Sequence, residues 1–373
     1  MSMLFRFALS FVAILALQAS WSHASRAVES RVSISTFGRM QTGESVQQFT
    51  LTNAHGMKVK LIEFGATITE ILVPDKSGKM ANVLLGSDSI EAYERGFPAG
   101  SVIGRYANRI RNARFSIDGK EFNVSKNAGQ NHIHGGQKHF GKLLWRGTAS
   151  TDPDTVSVTF QYKSRDGEEG FPGNLDVAIT YTLTSSNELV LDYTATTNQP
   201  TVVNLTNHAY FNLSGTGDVL DHELQIESDE TTTVDKSLIP NGEFTRVEGG
   251  PLDFRQPHKI GARIHELYDA ANGYDHNYVI RGEVGTLRKA ARVVDEESGR
   301  TLECLTTEPG VQLYTSNGFN GNPYPKHGAF CLETQHYPDS PNHSHFPTTI
   351  VRPDKPFQSK TVFRFGIVKS SGN

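Results

Sequence analysis

V-N-L-T-N-H-A-Y-F-N-L, running from Val203 to Leu213, is the stretch on which the reading of this chain turns. Val203 and Leu205 alternate with Asn204 and Thr206, so an extended backbone sends apolar side chains to one face and polar ones to the other. The period predicts a strand, with His208 on its polar face. Tyr210 and Phe211 follow closely and set a titratable imidazole beside aromatic surface, a composition suited to a pocket for sugars or other small polar molecules. A histidine hydrogen-bonded inside the core of a sheet satisfies the same pattern, and this stretch leaves both roles open.

The short period recurs outward from it. Val32–Phe37, Gln47–Thr52, Lys58–Phe64 and Thr67–Val73 read as consecutive strands, most of them separated by Gly, Asn or similar turn residues. Phe115–Ile117 and Phe122–Val124 flank Asp118-Gly119, a strong hairpin signal, and Thr155–Tyr162, Val177–Thr184 and Leu189–Thr194 continue the series. The closing strands are Asn277–Ile280, Leu287–Val294, Thr301–Thr306, Val311–Thr315, Ala329–Gln335 and Thr361–Val368. Helical candidates are few and short, Ser89–Glu94 and Ala262–Ala270. With neither a Pro/Ser linker nor an internal repeat, the pattern predicts an all-β, large single-domain antiparallel β-sandwich over residues 25–373. Two long loops rich in Gly, Pro or Asn, Gly249–Pro257 and Gly318–His327, are candidate pocket walls.

Composition narrows the class. The 373 residues are 37% hydrophobic, enough for a large core, and a formal net charge of -4 offers no electrostatic footprint for nucleic acid. The first residues stand apart: Arg6 precedes the apolar run Phe7–Leu17, and Ser22-His23-Ala24 provides the small residues of a cleavage site, so residues 1–24 read as a secretory signal peptide. The run is about half of the roughly 20 residues needed to span a bilayer, and nothing like it follows, so no membrane association is expected after cleavage. Two cysteines, Cys304 and Cys331, exclude a disulfide-dense scaffold and leave open whether they pair. Glycosylation sequons begin at Asn123, Asn204, Asn212 and Asn342; Asn123 is the expected acceptor, since the middle two lie within the opening stretch.

Three further clusters carry chemistry. In Asn131-His132-Ile133-His134-Gly135-Gly136 the two histidines share a face if the segment is extended, a His-x-His pair that can hold zinc with a further carboxylate or histidine; the glycines let backbone approach a ligand. Gly104-Arg105-Tyr106-Ala107-Asn108-Arg109-Ile110 offers guanidinium forks for hydroxyls or a carboxylate, or simply surface salt bridges. Glu333 follows the apolar run Ala329–Leu332; on a buried strand an unpaired carboxylate would be partnered or raised in pKa, which makes it a candidate base, and at a strand end it would merely face solvent. Asp275, just ahead of another strand, can accept from hydroxyls or close an Asx turn.

Taken in order, G-R-Y-A-N-R-I, N-H-I-H-G-G, N-L-T-N-H-A-Y-F-N-L, G-Y-D-H-N-Y and E-T-Q-H-Y-P-D-S-P-N resemble the aldose 1-epimerase (galactose mutarotase) family, over essentially Val32–Val368. The resemblance implies the family's large supersandwich and the interconversion of α and β anomers of free aldohexoses such as galactose and glucose. No cofactor and no metal are implied, and the partner is the sugar alone, on a monomer or weak dimer. Carried over by motif, Glu333 is the base and His208 the acid, while Asn108, Arg109, His134 and Asp275 hold the sugar. The two roles call for an ionised Glu333 and a charged His208, which their proximity would favour. A signal peptide departs from the commonly cytosolic members and points to an extracellular or endomembrane setting. Three other readings compete: a secreted carbohydrate-binding protein on the same scaffold, a zinc enzyme using His132, His134 and a carboxylate, and a hexose-6-phosphate 1-epimerase.

Overall fold

The computed structural model describes residues 31–96, 99–152, 154–321 and 324–368. The expected signal peptide, residues 1–24, lies outside them. Three antiparallel sheets dominate. The first is a five-stranded meander through Arg31–Arg39, Ser45–Thr52, Lys58–Ile62, Thr67–Pro74 and Met80–Asn82. The second has nine strands in the order Arg146–Thr151, Thr155–Ser164, Leu175–Thr184, Glu188–Thr197, Phe357–Ile367, Arg300–Thr306, Arg288–Val294, Glu223–Ile226 and His258–Lys259. The third runs Pro240–Arg246, Ser228–Val234, Asp275–Ile280, Gly310–Tyr314, Cys331–Gln335.

Alternation explains why these sheets stack. Val156, Val158 and Phe160 of one strand, Leu175, Val177 and Ile179 of the next, and Leu189 and Leu191 of the third all point inward and are buried, while the intervening residues are more exposed. They share one core with Leu51, Val59 and Leu61 of the first sheet and with Tyr278, Val311, Leu313 and Leu332 of the third. Each such side chain contributes about 1.5–3 kcal/mol by leaving water. Phe49 meets Phe160 edge to face across the first two sheets at 5.6 Å. The third sheet is tied to the second where Thr334 and Thr361 share a hydroxyl hydrogen bond of 2.5 Å.

The predicted all-β sandwich is what forms, with most predicted strands within a few residues of those observed. At Asp118 and Gly119 both φ angles are positive, 50° and 80°, and Arg114–Ile117 pairs with Lys120–Asn123 as the Asp-Gly signal requires. The helix at Ser89–Glu94 is present as Ile90–Glu94, whereas Ala262–Ala270 breaks into two 3-10 turns and a four-residue helix, Tyr268–Ala271. Among the described residues no helix is long and apolar enough to cross a membrane.

The opening stretch is the largest departure. It is not a long strand with one polar face. Only Thr206–Asn207 pairs, with Val102–Ile103, and every residue from Val203 to Leu213 is buried. The segment crosses the interior, Asn204 bridging to Tyr106 and Phe211 to both Leu84 and Phe330. Asn204, buried on every side, is satisfied by donating to Ala107 O and His336 O while accepting from the His336 N–H. Asn204 and Asn212 are therefore structural and enclosed, and Asn123 and Asn342 are the exposed sequons. Cys304 and Cys331 are separate buried thiols, both raised in pKa by burial.

Gly135 is closely hemmed in by backbone. It sits at φ 86°, and a Cβ there would lie 1.8 Å from Gly104 O. Gly119 shares the left-handed conformation at φ 80° but has nothing within 4 Å. In urea unfolding, Gly119→Ala should cost about 1–2 kcal/mol, the backbone penalty alone, and Gly135→Ala more than about 3 kcal/mol because backbone must move as well. Equal losses at the two positions would contradict the steric account.

Candidate active site

Strand register builds the floor of the site. Asn277 pairs with Gln312, and Gln312 with Glu333, so these three side chains share one face of the third sheet. Asp275, Tyr314 and Cys331 form the next row on the same face. The opposite face carries Tyr278, Val311, Leu313 and Leu332 into the core. A strand such as Cys331–Gln335 is thus buried on both sides, and Glu333, at 2% exposure, is no solvent-facing strand end.

The interior connector supplies the opposing wall. His208 is anchored by its backbone, its N–H donating to Ser101 O and its carbonyl accepting from Gly100 N. Its ring stacks on Tyr210 at 4.7 Å and 5°, and Tyr314 meets both rings edge on. This clamp aims Nε2 at Glu333 Oε1, 3.8 Å away, too far for a direct hydrogen bond. Among the described residues, His208 Nδ1 and Glu333 Oε2 are buried without a hydrogen-bond partner. A facing acid and base that do not satisfy each other leave room for a ligand to do so.

His134 completes the group. The short strand His132–Ile133 ends there because His134 turns to φ 52° and Gly135 and Gly136 follow at 86° and 100°. The turn separates the two histidines expected on one face. His132 points into the core, its Nδ1 against Ser125 O at 2.7 Å and its ring edge-on to Phe171. The His132–His134 metal pair is therefore not formed. His134 instead accepts at Nδ1 from the Asn108 N–H, leaving Nε2 to carry the proton, and its ring lies 5.3 Å from that of His208. Burial first, then the neighbouring His208 and Arg109, hold it neutral, so it presents an N–H donor.

Arg109 and Asp275 form the polar rim. Arg109 donates from Nη1 to Asn108 Oδ1 and from Nη2 to Asp275 Oδ2 at 3.3 Å. Gln312 donates to Asp275 Oδ1 at 2.5 Å, so both carboxylate oxygens are held and Asp275 is no Asx turn. Gln312 was invisible to pattern reading, although a lone amide between Val311 and Leu313 in a strand is a signal of its kind. Arg105, by contrast, is structural: its buried guanidinium binds Ser164 and the carbonyls of Arg165, Pro172 and Gly173. Of the two candidate wall loops, Gly249–Pro257 underlies the Asp275 strand, accepting the Tyr274 and Tyr278 hydroxyls at Pro251 O and Leu252 O. In the other, Phe319 backs Tyr210.

Burial raises Glu333 to about 8, with Asp275 adding to the rise and Arg109 opposing it. Burial also lowers His208 to about 4, against the pull of Asp275. The unliganded pair therefore rests neutral, with its proton on Glu333. This corrects the expectation of a charged pair: desolvation of both groups outweighs their attraction at 3.8 Å. The proton count is unchanged, since a neutral acid with a neutral imidazole is a tautomer of the ion pair. His134, His208 and Glu333 offer ligand atoms within 4.8 Å of one another and are the residues that could hold a divalent ion here.

Comparison with known proteins places this chain in a family. The family described as Aldose 1-epimerase matches residues 47–364. Galactose mutarotase of Bos taurus is 43% identical over 349 residues, 90% of this chain and 99% of the bovine one. Aldose 1-epimerase of Escherichia coli K12 is 36% identical over 335 residues, 87% and 96% of the two chains. Among solved structures, a galactose 1-epimerase from Lactobacillus acidophilus superposes with a TM-score of 0.83 at 26% identity, covering 91% of this chain and 99% of the other. A GalM/aldose epimerase homologue from C. elegans superposes at 0.79 with 31% identity, covering 85% and 98%. On the extent of these matches, the chain belongs to the aldose 1-epimerase family.

Proposed function

We propose that this protein is a cofactor-independent aldose 1-epimerase that interconverts the α and β anomers of free aldohexoses such as galactose and glucose. The observation that carries the reading is the buried, mutually unsatisfied pair His208 and Glu333, whose acting atoms stand 3.8 Å apart. The anomeric and ring oxygens of a pyranose are bonded to one carbon, so one sugar can present both to such a pair. Asn108, Arg109, Asp275 and Gln312 supply donors and acceptors for the remaining hydroxyls, and neutral His134 donates from Nε2.

The reaction needs one proton moved in and one moved out. Glu333 takes the proton of the anomeric hydroxyl while His208 gives one to the ring oxygen. The bond between C1 and the ring oxygen breaks, its electrons go to that oxygen, and the anomeric oxygen becomes the aldehyde. Rotation about the bond from C1 to C2 turns the other aldehyde face to the hydroxyl. Ring closure returns both protons and leaves the pair as it began. Entry to this cycle requires the shared proton on His208, a shift that Arg109 favours by stabilising the Glu333 carboxylate.

Glu333→Gln and His208→Asn should each lower the rate at which freshly dissolved α-galactose equilibrates, measured by polarimetry, by about a hundred- to ten-thousand-fold. Parent-like rates in either variant would remove that residue from its role.

The pH dependence follows from the count of one proton on the pair. Below about 4 a second proton arrives and no base remains; above about 8 the only proton is lost and no acid remains. Enzyme-dependent kcat/KM should be level between and fall on both sides. Asp275→Asn removes a negative charge that raises both groups, so both limbs should move to lower pH, whereas Arg109→Gln should move the alkaline limb upward. Limbs that stay put in both variants would refute this electrostatic assignment.

We also propose export from the cytosol, on the strength of Arg6, the apolar run Phe7–Leu17 and the small residues ending at Ala24. Amino-terminal sequencing of protein from the native host should then begin near Ser25, and recovery of an intact Met1 terminus would refute export.

A further inference from the structure

A cavity lies away from the catalytic pair. It opens to solvent and has a volume of about 900 Å³ between the first sheet, the helix Ile90–Glu94 and the loop after Tyr314, within the range of about 300–1,000 Å³ typical of small-molecule sites. Phe319 and Tyr324, stacked on one another, give it an aromatic wall, and Phe37 lines it as well. Polar side chains also line it, among them Gln48, Asp88 and Arg95 and an ion pair of 3.0 Å between Lys60 and Glu70. Two cations stand against two anions, so the lining offers no net charge to an anionic ligand. Amide, carboxylate and guanidinium groups beside flat rings suit a neutral molecule that has many hydroxyls and a less polar ring face.

The aromatic wall is also the far end of a column of rings. His208 stacks on Tyr210 at 4.7 Å and 5°, Tyr210 on Phe319 at 5.3 Å and 18°, and Phe319 on Tyr324 at 6.1 Å and 30°. The ring that helps line this cavity, Phe319, is thus separated from the imidazole of the catalytic pair by one side chain.

We propose that this cavity is a second saccharide site, distinct from the catalytic one and packed against His208 through Tyr210 and Phe319. The proposal rests on the mutarotase reading only in taking a sugar as the first probe, and its test separates the two. Protein carrying labelled alanine methyls is titrated with D-galactose, with methyl β-D-galactopyranoside, which cannot open its ring, and with inorganic phosphate. Ala92 lines the cavity and Ala209 adjoins His208. With both sugars the Ala92 methyl should shift along its own binding curve, different from that of Ala209. In the Gln48→Ala/Asp88→Ala variant the Ala92 response should vanish while the Ala209 response and the polarimetric rate stay as in the parent. An Ala92 signal that remains still while Ala209 saturates, or that merely tracks the Ala209 curve, overturns the second site. So does one that moves with phosphate and not with sugar. Absence of polarimetric activity in the parent would count against the mutarotase reading and leave the Ala92 result to be judged by itself.

Discussion

Everything at the site depends on a carboxylic acid and an imidazole held in a desolvated space at a distance where neither satisfies the other. Moving charges out of water costs several kcal/mol per ion even after relaxation, and here that cost is avoided because the pair rests neutral. Had Glu333 and His208 been one ångström closer, each would have satisfied the other and the sugar would have to compete with that bond. The 3.8 Å gap is therefore a structural requirement, and the surrounding architecture can be understood as the means of maintaining it.

Two independent pieces of the fold hold the two sides apart. Glu333 is fixed by sheet register, its strand paired to Gly310–Tyr314, tied across to the nine-stranded sheet by Thr334, and finished by the bonds between Asn204 and His336. His208 is fixed by a connector with almost no ladder of its own, held by backbone bonds to Gly100 and Ser101 and by stacking on Tyr210. Just past the end of the strand that carries Glu333, His336 meets buried Glu308 at 2.5 Å; burial disfavours the imidazolium, yet the carboxylate wins and raises His336. Of these two buried carboxylates, Glu308 has a histidine in full contact and Glu333 does not.

The charged groups around the pair act on it in opposite senses. Asp275 raises both Glu333 and His208, and Arg109 lowers Glu333, so the two members of the Arg109–Asp275 contact at 3.3 Å bear in opposite senses on the Glu333 proton. Gln312, donating to Asp275, keeps that carboxylate turned toward Arg109.

Much of this was legible from local pattern. Alternation in segments such as Thr155–Tyr162 and Leu189–Thr194 depends only on which side chains avoid water, and the Asp118-Gly119 hairpin only on which residues tolerate positive φ. The candidate residues Asn108, Arg109, His134, His208, Asp275 and Glu333 were all identified from sequence motifs, and the fold brings them together. What local pattern could not supply was the environment of each. His132 and His134 are two residues apart and read alike, but a left-handed turn at His134 sends one into the core and the other into the site. Asn204 reads as one of the polar residues on the face that carries His208, yet it secures Ala107 and His336, and Gln312 emerged only through its register with Glu333. The sequence by itself determined the sheet-forming pattern and the chemical repertoire, because both follow from neighbours along the chain. Only the tertiary structure decided which groups lose water together, and hence that the pair rests neutral, because desolvation is contributed by segments hundreds of residues apart.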